Sequence, residues 1–237
     1  MRIVLAYIAL ANGPKTADLA ARFVSTYHAF PPGVPHDTLV ICQGGPLKSE
    51  VGLLFADLTA RFWVRKNDPG YDISAYIDAA AGPCAAYDMM LCFGESVHFH
   101  RAGWLKRFVE AWEKHGPGMY GAFASNVVRA HINTTGFCCS PALLRQSPFR
   151  PHDKKTRYAW EHGRNAFWRF VQARGFAVRL VTWDGDWHPR AWRTPPNILW
   201  KGNQSNCLIR CNHCERWEQA RPDIKGKWSR WADAPFQ

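Results

Sequence analysis

From Tyr158 the chain reads Tyr-Ala-Trp-Glu-His-Gly. An amphipathic stretch, Arg174-Gly175-Phe176, a short apolar run and Asp184-Gly185-Asp186 follow. The pattern predicts a helix over 161–173 and a strand over 176–182, with Glu161 at the helix start. A carboxylate at a helix N-terminus is favoured in its ionised form. A helix leading back into an α/β sheet also puts it near the strand ends, where such folds keep their chemistry. An ionised carboxylate at an open cleft is a candidate general base. His162 is a second candidate, since imidazole exchanges a proton near neutral pH. The alternative for Glu161 is a helix-terminal acid that only complements the helix dipole.

Two further patterns suggest metal ligands. Cys207-x3-Cys211-x2-Cys214, with His213 inside it, contains a Cys-x2-Cys half of zinc-binding spacing. No second pair is nearby to complete four ligands, so zinc is not expected. At helical spacing the three thiols share one face, which is also how a core-facing stripe reads. His98 and His100 point the same way only on a strand; otherwise they are surface-loop histidines.

The elements that must position these residues alternate. Strands are expected over 2–9, 38–42, 61–65, 88–93 and 119–124. Helices are expected over 17–29 (capped by Thr16), 47–58, 72–81 and 101–115, where Trp104, Leu105, Phe108, Val109 and Trp112 recur at helical spacing. Asn67-Asp68-Pro69-Gly70 is a turn, Ser140-Pro141 opens a further helix, and a last helical segment lies beyond Asn203. This order argues for a parallel sheet with crossover helices. The 237 residues read as one domain, 1–237, with no internal repeat. No run approaches the roughly 18 apolar residues of a membrane span. The N-terminus enters a strand pattern rather than a signal peptide, so a cytoplasmic setting is expected. The eight cysteines are spread out and read mostly as reduced thiols.

The net charge of +11 favours polyanionic partners. Twelve tryptophans are many for this length, and Trp183, Trp187, Trp192 and Trp200 fall close together. Such faces stack on sugar rings or bases, or else fill a core.

Taken in order, these pieces resemble a glycosyltransferase of the GT-A fold, a Rossmann-like nucleotide-sugar transferase. The resemblance rests on the first strand and turn, the helix opened by Asp72, and the strand ending at Gly94-Glu95-Ser96. The Gly121-Ala122 strand, the His131-Ile-Asn-Thr-Thr-Gly-Phe137 stretch, Glu161-His162-Gly163 and the Gly202–His213 block complete it. It implies a mostly parallel central sheet flanked by helices, with a loop-rich C-terminal segment on the acceptor side. Glu161 matches the acid of a Glu-Asp element in family 2-type inverting transferases; here His162 stands in the second position. Asp72, with Ala9 to Asn12, matches the nucleoside side. Glu95 stands where the family carries an Asp-x-Asp metal motif, which is not intact here. The resemblance implies Mn2+ or Mg2+ near Glu95 and His213. Thr134, Thr135, Trp183, Asp184 and Asp186 fall on the acceptor side. A departing diphosphate needs cationic stabilisation, for which Arg101, Lys201 and Arg210 are candidates.

The implied reaction moves a sugar from a nucleotide-sugar donor to a hydroxyl of a surface glycan or a modified DNA base. The non-enzymatic alternative is a basic nucleic-acid-binding protein with a Cys-rich C-terminal segment.

Overall fold

A computed structural model describes residues 1–66, 71–125, 129–192, 200–202 and 204–233. The turn expected at Asn67–Gly70 lies outside the described residues. The chain alternates as its pattern predicts: β1 (Ile3–Leu10), α1 (Thr16–Ala29), β2 (Asp37–Gln43), α2 (Ser49–Leu53), β3 (Arg61–Arg65), α3 (Tyr71–Ala81), β4 (Met89–Phe93), α4 (Trp104–His115) and β5 (Gly118–Gly121). A two-stranded ribbon follows, β6 (Ala124–Ser125) with β7 (His131–Ile132). Then come β8 (Gly136–Cys139), α5 (Pro141–Arg145), α6 (Lys154–His162), α7 (Phe167–Ala173), β9 (Ala177–Val181), β10 (Asp186–Trp187), α8 (Asn212–Gln219) and α9 (Pro222–Asp233).

The main sheet has eight strands in the order β10-β9-β5-β8-β4-β1-β2-β3. β1 pairs in parallel with β2 and β4, β2 with β3, and β5 with β9. β8 is antiparallel to both β4 and β5. All six parallel strands therefore end at one edge. The architecture is the expected α/β fold with a mostly parallel central sheet between helices.

Alternate residues of β1 separate the two faces. Ile3, Leu5, Tyr7 and Ala9 join one core with α1, α2, α4 and α8; Val4, Ala6 and Ile8 join a second with α3, α5, α6 and α7. A strand buried on both sides reads as a continuous apolar run, which is why β1 is Ile-Val-Leu-Ala-Tyr-Ile-Ala-Leu. On α4 the predicted face is the buried one: Trp104, Leu105 and Phe108 are wholly shielded, worth roughly 1.5–3 kcal/mol for each large side chain. All eight cysteines are buried; Cys138 and Cys139 face opposite cores, so their adjacency on β8 brings no strain.

Three local readings change. Thr16 is the first residue of α1 rather than its cap, and its hydroxyl lies 2.7 Å from Leu10 O and 2.6 Å from Glu95 Oε1, which share its one proton. The helix expected over 47–58 breaks into α2 and a 3-10 turn, Ala56–Leu58; Gly52 lowers helix propensity there. The three thiols near the C-terminus do not share a helix, since only Cys214 lies within α8, yet all three are buried in one core. No described helix is long and apolar enough to cross a membrane.

The β2–β3–α3 corner is fastened by Arg65, 7% exposed, which donates to Gln43 Oε1 at 2.9 Å and to Asp78 Oδ2 at 2.7 and 2.9 Å. Arg150 also donates to Asp78. Burial pushes the Asp78 carboxyl up, but Arg150 and Arg65 outweigh it and hold it below the usual range. Its contribution is therefore complete above pH ~3.8 and is lost as pH falls through the lower folded value. Replacing Asp78→Asn should cost about 2 kcal/mol in urea unfolding at pH 7, below the range for a fully buried pair because Asp78 is a third exposed. The difference from wild type should shrink as the acid limb is approached.

Candidate active site

Glu161 lies on the last turn of α6, not at the start of a helix. The helix begins at Lys154 because Asp153 caps it. Asp153 Oδ1 accepts from Thr156 N at 2.7 Å, and Thr156 Oγ1 accepts from Asp153 N at 3.0 Å. It stops at Gly163, where a Cβ would sit 2.4 Å from Ala159 O. The single helix expected over 161–173 is thus two, α6 and α7.

The dipole at this end opposes a negative charge. Specific bonds hold it instead. Thr134 N donates to Glu161 Oε1 at 3.0 Å, Thr134 Oγ1 lies at 3.4 Å, and His162 Nε2 is 3.3 Å from Oε2. Glu161 is 5% exposed. Burial raises its pKa, but the His162 hydrogen bond, the charges of His131 and His162, and the Thr134 N–H outweigh it and bring the carboxyl to about 2. His131 is buried behind this pair. Burial, partly offset by Glu161, brings its pKa down to about 4, so it is neutral at pH 7. His131 Nδ1 is 2.7 Å from Arg129 O and 3.0 Å from His162 Nδ1. These partners assign a shared Nδ1–H on His131, an accepting Nδ1 on His162, and a His162 Nε2–H directed at Glu161.

One turn before Glu161, on the same face, is Arg157. Its Nε donates to Asp72 Oδ1 at 3.0 Å, and an Nη lies 3.4 Å from Asp72 Oδ2 and 3.5 Å from Thr134 Oγ1. Burial raises the Asp72 pKa and Arg157 lowers it; the balance is upward.

Two cavities meet at Arg157. One, of ≈ 420 Å³, is lined by Leu10, Gln43, Tyr71, Asp72, Gly94, Glu95 and Arg157. Leu10, Gln43 and Gly94 end or follow β1, β2 and β4, so it opens at the carboxyl edge of the sheet. The other, of ≈ 280 Å³, is lined by Glu161, His131 and His162 with Asn133, Thr135, Trp200 and His213.

The structure brings together Asp72, Glu95, Thr134, Thr135, Glu161, His162 and His213 around these cavities. Glu95 Oε1 accepts from Leu10 N at 3.1 Å and from Thr16, which fixes its position beside the first cavity. Ala9 is fully buried; the strand offers Leu10 instead, one residue later and on the other side of the pleat. Asn12 lines a neighbouring cleft with Thr16 and Lys48. Arg210 pairs with Glu218, and Arg101 stacks 4.5 Å over Trp183, so these cations serve the C-terminal segment. Lys201 lines neither cavity. Asp184 accepts from Thr182 and Asn206, and Asp186 from Lys114 and His115. Trp187 and Trp192 bond within their own loop. Of the four clustered tryptophans, Trp200 alone lines a site cavity.

Glu95 and His213 line different cavities. The set that does converge among the described residues is His131, Glu161 and His162, with ligand atoms within 4.8 Å of one another. Imidazoles and a carboxylate suit a divalent transition ion, so this cluster could coordinate one.

A helix started at Glu161 leaves Arg157 outside it. The signal lay in Asp153-x-x-Thr156, a capping pattern that starts α6 at Lys154 and puts Arg157 and Glu161 at i and i+4 on one face.

No family model matches the chain, and no curated protein matches it. A solved structure shares its fold. The mannosyltransferase PcManGT of Pyrobaculum calidifontis, in complex with GDP-Man and Mn2+, superposes with a TM-score of 0.54 at 11% identity. The match covers 75% of this chain and 53% of that one, so the chain spans about half its length. A Desulfovibrio desulfuricans protein provisionally assigned as a nucleotide-diphospho-sugar transferase gives 0.48 at 10% identity, covering 76% and 80%. A cytidylyltransferase from Leptospira borgpetersenii gives 0.47 at 11%, covering 67% and 71%. At such identities the likeness is one of fold.

The converging ligand set predicts that purified protein binds Mn2+ and that His131→Ala weakens binding by about tenfold or more, read from the free-ion electron paramagnetic resonance signal. Equal affinity in the two proteins would move the ion elsewhere.

Proposed function

We propose that this chain, whose fold is that of the GT-A nucleotide-sugar glycosyltransferases, moves a sugar from a nucleotide-sugar donor to a hydroxyl acceptor, with Glu161 as general base. The observation that carries this reading is an ionised, nearly buried carboxylate one helical turn from Arg157, where two cavities meet at the carboxyl edge of the sheet.

The donor occupies the cavity of Leu10, Gln43, Asp72 and Glu95, and Arg157 meets the charge that develops on its diphosphate. The acceptor hydroxyl enters beside Thr135, Asn133 and Trp200, whose indole offers a face to a sugar ring. The acceptor oxygen bonds to the anomeric carbon as the carbon–phosphate oxygen bond breaks, with inversion, and the hydroxyl proton passes to Glu161. A carboxylate held near pKa 2 is a weak base. Proton transfer is therefore late, once the attacking oxygen is already bonding and has become strongly acidic. Thr134 and His162 orient the carboxylate. A divalent ion held by His131, Glu161 and His162 would take the place of the His162–Glu161 hydrogen bond in the acceptor cavity and would lower the pKa of the acceptor hydroxyl there.

The acceptor is a surface-glycan hydroxyl or a modified base in DNA. The +11 charge supports the polyanion, for which affinity falls steeply with salt.

Glu161→Gln should lower kcat by roughly 10²–10⁴-fold and should also lower the thermal midpoint, since the carboxyl is held below its usual range in the folded chain; turnover is therefore compared well below both midpoints. A thermal-shift panel of UDP-, GDP-, dTDP- and CMP-sugars with and without Mn2+ identifies the donor for that assay. Full turnover in the variant would remove Glu161 from the chemistry, and a panel with no response would remove the transferase reading itself.

A further inference from the structure

A cavity of ≈ 520 Å³ shares no residue with the two at the site. It is lined by Trp168, Arg169 and Gln172 of α7 and by His188, Pro189 and Arg190, where a 3-10 turn follows β10. Two donors there have no acceptor. Trp168 Nε1 and Arg169 Nε are shut off from water and make no hydrogen bond. Trp168 is only 5% exposed. A buried N–H without a partner costs about 1–3 kcal/mol, and native proteins keep few such groups without reason.

The surroundings are positive. Among the described residues, Arg169 and Arg190 line the cavity and no carboxylate does. Burial, Arg179 and Arg190 together hold His188 below its usual pKa. The acids on the adjoining strand and turn are engaged elsewhere, Asp186 with Lys114 and His115, and Asp184 with Thr182 and Asn206. The Arg169 guanidinium lies 4.4 Å over the Trp168 ring, which holds the charge at the cavity wall.

We propose that this cavity is a second binding site, for a phosphate group carried on a ring-bearing ligand. Arg169 and Arg190 pair with the phosphate oxygens, and the Trp168 N–H supplies a neutral donor. Both orphan nitrogens are covered, so binding includes a shift of the Arg169 side chain away from the indole. The volume exceeds what a bare anion fills and suits an attached sugar or nucleoside, for which Trp168 and Pro189 provide an apolar wall. Two sources share this chemistry: a phosphomonoester, such as a sugar phosphate, and a phosphodiester, such as a nucleic-acid strand.

The test is calorimetric titration of the full chain with inorganic phosphate, glucose 6-phosphate and a short single-stranded oligonucleotide. It is repeated in Arg190→Ala, Arg169→Gln and Trp168→Phe, with Arg157→Gln reporting on the catalytic cleft. Expected is a phosphate-dependent site that Arg157→Gln leaves intact. Arg190→Ala, at unchanged thermal midpoint, and Arg169→Gln should each weaken it by tenfold or more, and Trp168→Phe severalfold. Arg190 is exposed on a turn, so its variant reads binding even where substitution on α7 disturbs folding. Tighter binding of the oligonucleotide assigns a phosphodiester ligand, and tighter binding of glucose 6-phosphate a monoester. No binding, binding unaffected by Arg190→Ala, or binding lost only in Arg157→Gln overturns the proposal. Because no turnover is measured, its outcome is independent of the transferase reading.

Discussion

The Arg157–Asp72 ion pair is the interaction around which the candidate site is built. Asp72 belongs to the first turn of α3 and Arg157 to α6, and their sequence positions are far apart. The pair is largely shielded, with the side chains 29% and 19% exposed, so losing either partner would strand a charge in a poorly solvated place. Arg157 also reaches Thr134, which in turn donates its backbone N–H to Glu161. One guanidinium thus links α3, α6 and the loop after β7. The face it occupies follows from where α6 begins.

The electrostatics of Glu161 follow from the same arrangement. The carboxylate sits at the negative end of its helix and is almost buried, two conditions that disfavour charge. It is nevertheless ionised because a backbone N–H and an imidazole point at it, and the imidazole is itself positioned by the neutral His131. Such a group is held firmly in place, and its low basicity is the consequence of that hold.

The second cavity needs a wall the sheet does not supply. Trp200 and residues 204–213 provide it by crossing the strand ends. They bridge to Thr182 through Cys207 and to His98 through Arg210. The Ile209 side chain packs where a Cβ on Gly136 would lie, 2.4 Å away. Arg22 of α1 reaches both His98 and Glu215 and ties this segment to the first crossover helix. Trp200 and His213 reach the cavity because of these tethers.

Much of this was legible in the sequence, and for local reasons. A strand buried on both faces must be apolar throughout, and an amphipathic helix must repeat its apolar residues with the helical period; β1 and α4 could hardly read otherwise. The strand–helix alternation therefore determined the α/β class, and the carboxyl ends of the strands determined where a site would open. Glu95 could be singled out as an acid at such an end, and Asp72 as the acid opening α3; Glu161, with its neighbour His162, reads as a helix-start acid, although both lie on the last turn of α6. Tertiary structure alone decided what each one faces. Arg210, Asp184 and Asp186 are as polar and as near a strand end as Glu95, yet their charges are taken up by Glu218, Asn206 and Lys114. Arg157 and Asp72 meet only because α3 and α6 pack on one side of the sheet. Periodicity reports which face of an element is buried; the partner across the gap is set by packing between segments remote in the chain, which no local pattern encodes.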